Sequence, residues 1–421
     1  NIREQCSWVH EDAPERATEK AIDIVSTLVE KVRRDEELTP FQFSLIRRAM
    51  VIGGGVAGLE AALDIADAGY PVVLVEREDR LGGKMARLSG MYLNFEAAPD
   101  LLQRKVAAVE AHPNVEILLE SQVTELSGYV GNFTAEIESA GAAEPRVEEV
   151  GGIVVATGWD PYPMKRLSEY GGGRLPDVVD GLTFEEMLQS GELRRPSDGR
   201  VPQEVAFVQC AGSRDPERGV AYCSKVCCMY VAKQAMMFKQ RMPDGQAYVF
   251  YIDIRSAGKG YDEFVQQAME DYDVLYLRGK VSKLFQRDDK VVVWGADTLA
   301  GRPVEVDADL VVLATPMLPG PGAPELARTL HISADEYGFY NEAHPKLRPV
   351  ESLTAGIYLA GVGQGPKDIP ETVAQASGAA AKVLQLFAQD VMVQEPTVAY
   401  VVEDLCSACG ACVSACPYQA R

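Results

Sequence analysis

Apolar positions recur along the chain with two periods, and the switches between them outline its organisation. Ala17, Ala21, Ile24, Val25, Leu28 and Val32 fall on one stripe at helical spacing, predicting an amphipathic helix over residues 14–34. After Arg47-Arg48 comes an unbroken apolar run, Ala49-Met50-Val51-Ile52, the pattern of a buried parallel strand. A second such strand is expected at 72–76, alternating strands over 115–140, and another buried strand at 152–158. The Gly- and Pro-rich stretch 159–200 reads as a crossover. A second strand–helix–strand pattern then runs through 205–209, a helix near 224–241, and 248–254. Strands near 291–295, 310–314 and 357–360 follow, with a Gly/Ala-rich helix at 371–388. The fold class is therefore α/β: two βαβ halves of similar plan, the first completed only by the late segment.

Composition narrows the class. The 421 residues are 47% hydrophobic and 24% charged, enough for two or three globular domains. No window approaches the roughly 18 apolar residues of a membrane span. The first residues lack the basic and apolar regions of a secretory signal, so a soluble cytoplasmic chain is expected. A net charge of −21 argues against nucleic acid as a partner. It suits a solvated acidic surface or the docking of a basic patch on another protein.

The first βαβ unit carries Gly53-Gly54-Gly55-Val56-Ala57-Gly58, a G-x-G-x-x-G directly between strand and helix. Gly53 serves the tight turn, Gly55 the approach of a pyrophosphate, and Gly58 the packing of helix on strand. The helix start at Val56 and Ala57 offers free N–H groups and a positive dipole to the phosphates. Glu76, 18 residues after Gly58, stands where an acid accepts ribose hydroxyls. Arg77, then Gly82-Gly83-Lys84, and the strand ending Ala156-Thr157-Gly158 resemble the FAD half of thioredoxin reductase-like flavoproteins. Gly361, in a late Ala-Gly-Val-Gly turn, resembles that group's final flavin motif, without its usual Asp. Backbone N–H groups at 369–373 are then expected on the flavin side. Val123, Ile369 and Thr372 complete the expected FAD contacts. Lys84 and Lys367 are candidates to tune the flavin, with surface solvation the other reading.

The second βαβ unit lacks a phosphate loop. Its strand runs into Cys210-Ala211-Gly212-Ser213, one glycine where three would be wanted, followed by Cys223, Cys227 and Cys228. Clustered cysteines in a long chain without a secretory signal point to metal or redox chemistry. A 4Fe–4S cluster, with Cys6 as a possible substitute ligand, is one reading. A redox disulfide such as Cys223/Cys227 and a set of unligated buried thiols are the others. A helix start is expected to carry Cys223, Cys227 and Cys228, the first two on one face. The tail, Cys406-x₂-Cys409-x₂-Cys412-x₃-Cys416-Pro417, is a bacterial ferredoxin motif for a 4Fe–4S cluster. The matching second half does not follow, so the chain is expected to be a piece of a longer protein. None of the four histidines stands in a triad or zinc motif, and the paired carboxylates at 185–186 and 262–263 read as solvated helix faces.

Five segments are expected: residues 1–48 (N-terminal helical), 49–160 (first part of the FAD-binding domain) and 161–316 (NAD-like, with the iron–sulfur site). Residues 317–395 would complete the FAD-binding domain, and 396–421 would form a ferredoxin-like segment.

Arg3-Glu4-Gln5-Cys6-Ser7-Trp8-Val9-His10, the 53–58 loop, Gly82-Gly83-Lys84, the 210/223/227/228 cysteines and the run from Gly363 to Pro370 together resemble the A subunit of heterodisulfide reductase. The resemblance covers nearly the whole chain. It implies an FAD that takes electron pairs and sends single electrons out through 4Fe–4S clusters, as in flavin-based electron bifurcation. It also implies partner redox subunits and a homodimer within their complex. Family members often carry a ferredoxin insertion and a cysteine after the Gly-Gly-Lys region. The sequence Met91-Tyr-Leu-Asn-Phe-Glu-Ala-Ala has neither, so one electron exit branch is absent. The alternatives are a stand-alone pyridine nucleotide–disulfide oxidoreductase, a non-bifurcating flavoprotein of a quinone-linked complex, and a docking scaffold with degenerate sites.

Overall fold

The computed structural model describes residues 1–35, 37–394 and 401–415. The chain divides into two compact units: Ser44–Asp390, and Asn1–Phe43 together with Val391–Arg421.

The larger unit is built twice on one plan. Its first sheet has seven strands in the order Glu342–His344, Arg348–Ser352, Ile357–Leu359, Gly152–Val155, Ala49–Ile52, Val72–Val75, Val115–Leu118. The last five run parallel, and the Ile357–Leu359 strand lies beside Gly152–Val155 across some 200 residues of sequence. The strands Ala49–Ile52, Val72–Val75 and Gly152–Val155 are buried at every position, because helices and a second layer cover both faces. The second sheet has five parallel strands ordered Val178–Asp180, Leu310–Leu313, Glu204–Val208, Gln246–Tyr251, Leu275–Arg278.

Each parallel sheet is paired with a three-stranded antiparallel one. Ser121–Tyr129, Asn132–Ser139 and Arg146–Val150 accompany the first; Val281–Arg287, Lys290–Asp297 and Arg302–Ala308 accompany the second. Phe133, Ala135 and Ile137 pack with Met50, Val73 and Ile153 in one core, and Val291 and Val293 pack with Ala206, Val208 and Val311 in its counterpart. The two halves are joined where Trp159–Pro161 pairs antiparallel with Met317–Pro319. A third core fills the outer face of the second sheet, where Phe184, Phe207, Met236 and Phe238 are fully enclosed.

In the smaller unit the helix Pro14–Val32 forms where the periodicity predicts it, with Pro at its start where a missing N–H costs nothing. None of its residues is fully buried: Ala17, Ala21 and Ile24 are half-buried, while Val25, Leu28 and Val32 are exposed. Cys6, in the preceding turn, is buried. The strand Phe41–Phe43 pairs with Met392–Gln394. Among the described residues no helix is long and apolar enough to cross a membrane.

Candidate functional site

Three residues, Gly53 to Gly55, carry the chain from the first strand into the helix Val56–Asp67. A Cβ on Gly53 would stand 2.4 Å from the Ala156 carbonyl oxygen, and one on Gly58 only 1.8 Å from that of Gly53. Both positions are closed by backbone. A Cβ on Gly55 would meet nothing within 4 Å, because that side opens into a cavity. The second glycine pair packs on the first: Gly82 N–H donates to the Gly54 carbonyl at 2.8 Å, and a Cβ on Gly83 would lie 3.1 Å from Gly55 Cα. Gly82 and Gly83 both have positive φ, 115° and 53°, which a side chain would strain.

The cavity holds about 760 Å³, a size suited to a large organic cofactor. Of the residues expected to contact one, Gly53, Gly55, Val56, Ala57, Glu76, Arg77, Gly83, Lys84, Val123, Ala156, Thr157, Gly158, Ile369 and Thr372 line it. Gly58 and Gly361 stand behind the lining, where a Cβ on Gly361 would come within 2.9 Å of Ala57 Cβ. The buried Glu76 carboxylate accepts the N–H of Gly54 and, at 2.8 Å, that of Glu78, so it is fixed on the loop.

The late helix Ile369–Phe387 opens with a capping box: Asp368 accepts the Glu371 N–H at 2.8 Å and Glu371 accepts that of Asp368. Pro370 has no N–H, and the Thr372 N–H bonds the Asp368 carbonyl. Of the donors at 369–372, the Ile369 N–H alone lacks a partner among the described residues. The two lysines differ. Lys84 Nζ pairs with Asp160 at 2.6 Å. Lys367 donates to the carbonyls of Gly361 and Gly365, and burial lowers its pKa to about 8.

The far wall of the cavity comes from the second half: Val226, Cys227, Tyr230, Lys233 and Gln234. Here one expectation is corrected. The helix spans Cys227–Arg241, so Cys223 lies in the loop before it and shares no helix face with Cys227. Lys225 explains the late start, since its φ of 62° is left-handed and no α-helix can pass through it. Cys210, with φ 55°, lies two residues beyond its strand. Cys210, Cys227 and Cys228 are buried and Cys223 partly so, all as free thiols. Burial pushes the Cys227 thiol up, and the neighbouring Cys228, Cys210 and Cys223 push it further. Burial likewise raises Cys228 to about 11, against an opposing Arg255 N–H. Among the described residues no three His, Cys, Asp or Glu side chains are grouped closely enough to hold a single metal ion. A cubane spreads its four thiolates wider than one ion does, which suits a looser quartet.

A second correction concerns Glu185, which the sequence placed on a solvated helix face. It is buried on the cavity wall and pairs with Lys233 Nζ at 2.7 Å. Burial drives its carboxyl up, but Lys233 and the Ser89 hydroxyl and N–H outweigh that and hold it below the usual range. Lys233 also donates to the Gly90 carbonyl, and Gln234 to the other Glu185 oxygen at 2.7 Å. This linkage between helices Gly181–Ser190 and Cys227–Arg241 was missed by sequence reasoning, since nothing in the local pattern joins positions 48 apart.

In the tail, Cys406, Cys409 and Cys412 are exposed free thiols. The Ala411 N–H and the Ser407 hydroxyl lower the Cys409 pKa. Cys416 lies outside the described residues.

A twice-built α/β core with a glycine-loop cavity is the architecture of a two-dinucleotide-domain flavoprotein. A family described as pyridine nucleotide-disulphide oxidoreductase matches residues 16–189, and a 4Fe-4S binding domain matches 399–421. Thioredoxin reductases of Lactococcus lactis and T. acidophilum share the fold. Each superposes with a TM-score of 0.54 at 17% identity, over 81% of this chain and 99% and 98% of theirs. The chain is thus an FAD-binding oxidoreductase with an iron–sulfur segment at its C-terminal end.

It is 38% identical to the second iron–sulfur A subunit of the CoB–CoM heterodisulfide reductase of Methanopyrus kandleri, over all of this chain and 76% of that protein. It is 38% identical, with the same coverage, to the A subunit of the H(2):CoB-CoM heterodisulfide,ferredoxin reductase of Methanothermobacter marburgensis. The chain belongs to the family of heterodisulfide reductase A subunits. The Methanopyrus alignment spans 501 positions for 421 residues, so that relative carries at least 80 residues in the matched span that this chain lacks.

Proposed function

We propose that this chain is the flavin subunit of a cytoplasmic heterodisulfide reductase-like complex and splits or merges electron pairs at its FAD. The observation that carries the reading is one continuous cavity, walled by the 53–58 loop on one side and by Cys227 on the other. FAD would lie with its pyrophosphate against Gly55 and the N–H groups of Val56 and Ala57. Its ribose would meet Glu76, and its ring would lie between Gly83, Thr157 and the Ile369 N–H. Cys210, Cys223, Cys227 and Cys228 would hold a 4Fe–4S cluster, and the tail motif another. When bound, the flavin supplies two-electron chemistry and the clusters one-electron transfer.

The protein's own contribution is to position and insulate. The Glu185–Lys233 pair places a fixed positive charge on the cavity wall, and Tyr230 and Met317 help enclose it. Other redox subunits, and a second copy of this chain, are the proposed partners. The 80 residues absent relative to the Methanopyrus protein support a version with fewer electron exits.

Substituting Ser at Cys223 or Cys227 tests the cluster. Iron should fall by about four atoms per chain in either variant while FAD stays bound. Iron unchanged in both would refute the central cluster and favour a cysteine-pair oxidoreductase of the pyridine nucleotide–disulfide type.

A further inference from the structure

Gln209 immediately precedes Cys210, and its side chain is left half-satisfied. It is only 5% exposed, and its backbone N–H is held by the Phe250 carbonyl at 3.0 Å. The side-chain oxygen accepts the Cys228 S–H at 3.4 Å, whereas Nε2 is buried and has no partner among the described residues. A buried amide donor without an acceptor is costly, and such groups in native proteins call for an explanation. Cys228 Sγ in turn accepts the Arg255 N–H at 3.3 Å.

We propose that Gln209 is a positioning residue that donates a hydrogen bond to the Cys228 sulfur when that sulfur ligates the cluster, and so raises the cluster's reduction potential. This rests on the central cluster proposed above. A thiolate ligand has no proton to give. The Gln209 oxygen that accepts from Cys228 in the thiol state would then face an anionic sulfur with nothing between them. A half-turn of the terminal amide exchanges oxygen and nitrogen in nearly the same space. It turns the orphaned Nε2 into an N–H···S donor and relieves both defects together. With Arg255, Cys228 then accepts two N–H groups. Donors to a cluster's sulfurs favour its more negative, reduced state.

The test uses the full chain, loaded anaerobically, with iron analysis and an EPR-monitored redox titration. The central cluster is identified as the signal lost in Cys227→Ser. Gln209→Met removes the donor at similar volume; Gln209→Glu keeps the shape, removes the donor and adds negative charge. The Met variant should shift the reduction equilibrium about tenfold toward the oxidised form, ~59 mV for one electron, and the Glu variant further. Titration reads only loaded clusters, so partial iron loss does not mask the shift. Both variants titrating with the wild type would overturn the role of Gln209. A wild-type chain whose iron is unaffected by Cys227→Ser would instead overturn the cluster on which it rests.

Discussion

At the scale of single residues, the three glycines of the first loop carry different constraints that the motif alone does not separate. Gly53 and Gly58 are closed by backbone, so even Ala there must move the strand or helix; Gly55 faces open space. Gly55→Trp should therefore leave a folded chain and obstruct only the ligand. FAD retained through purification should fall at least about tenfold, because the indole occupies the pyrophosphate's approach. Absorbance near the flavin bands, beside an unchanged far-UV spectrum, checks this; stoichiometric flavin in the variant would remove FAD from this loop. The loop was legible because its chemistry depends on the absence of side chains, which a sequence displays directly. The roles of Lys84 and Lys367 were not. One is held by Asp160, the other by two carbonyls, and neither partner is encoded nearby in a recognisable pattern.

At the scale of elements, the buried strands were readable because full burial demands unbroken apolar runs. The start of the cysteine helix was not, because one left-handed residue, Lys225, decides it. Glu185 was misread for a related reason. A carboxylate beside Glu186 looks solvated until the ammonium of Lys233 arrives from another helix. That pair yields a prediction. Lys233→Met should strand a buried carboxylate and destabilise the larger unit by about 3–5 kcal/mol. Adding Glu185→Gln to it should recover much of the loss, since the uncompensated charge disappears. Thermal or urea unfolding of both variants against the wild type measures it. A single variant as stable as the wild type would show that water already reaches this wall.

At the scale of the whole molecule, the two halves share a plan and differ in how strand passes to helix. In the first half three glycines make the passage and leave N–H groups facing the cavity. In the second, eighteen residues separate Val208 from Cys227, and they fold upon themselves. Val220 N–H bonds the Gly212 carbonyl, Asp215 N–H that of Val220, Gly219 N–H that of Asp215, and Arg214 N–H that of Tyr222. The donors a second pyrophosphate would need are thus spent within the loop. Arg214 also pairs at 2.7 Å with Asp253, just past the next strand, where an acid would otherwise meet the ribose. A nicotinamide cofactor consequently has no cradle in this half, and the path to the cavity is built of cysteines instead. The FAD-loaded chain should be reduced by NADH or NADPH at least about a hundredfold more slowly than by a low-potential one-electron donor such as reduced ferredoxin, because the pyrophosphate contacts that orient a hydride donor are missing. Stopped-flow absorbance of the flavin after anaerobic mixing compares the donors. Rapid bleaching by either nucleotide would mean that the second half opens to admit one, and that the loop from Cys210 to Val226 is a lid rather than a plug.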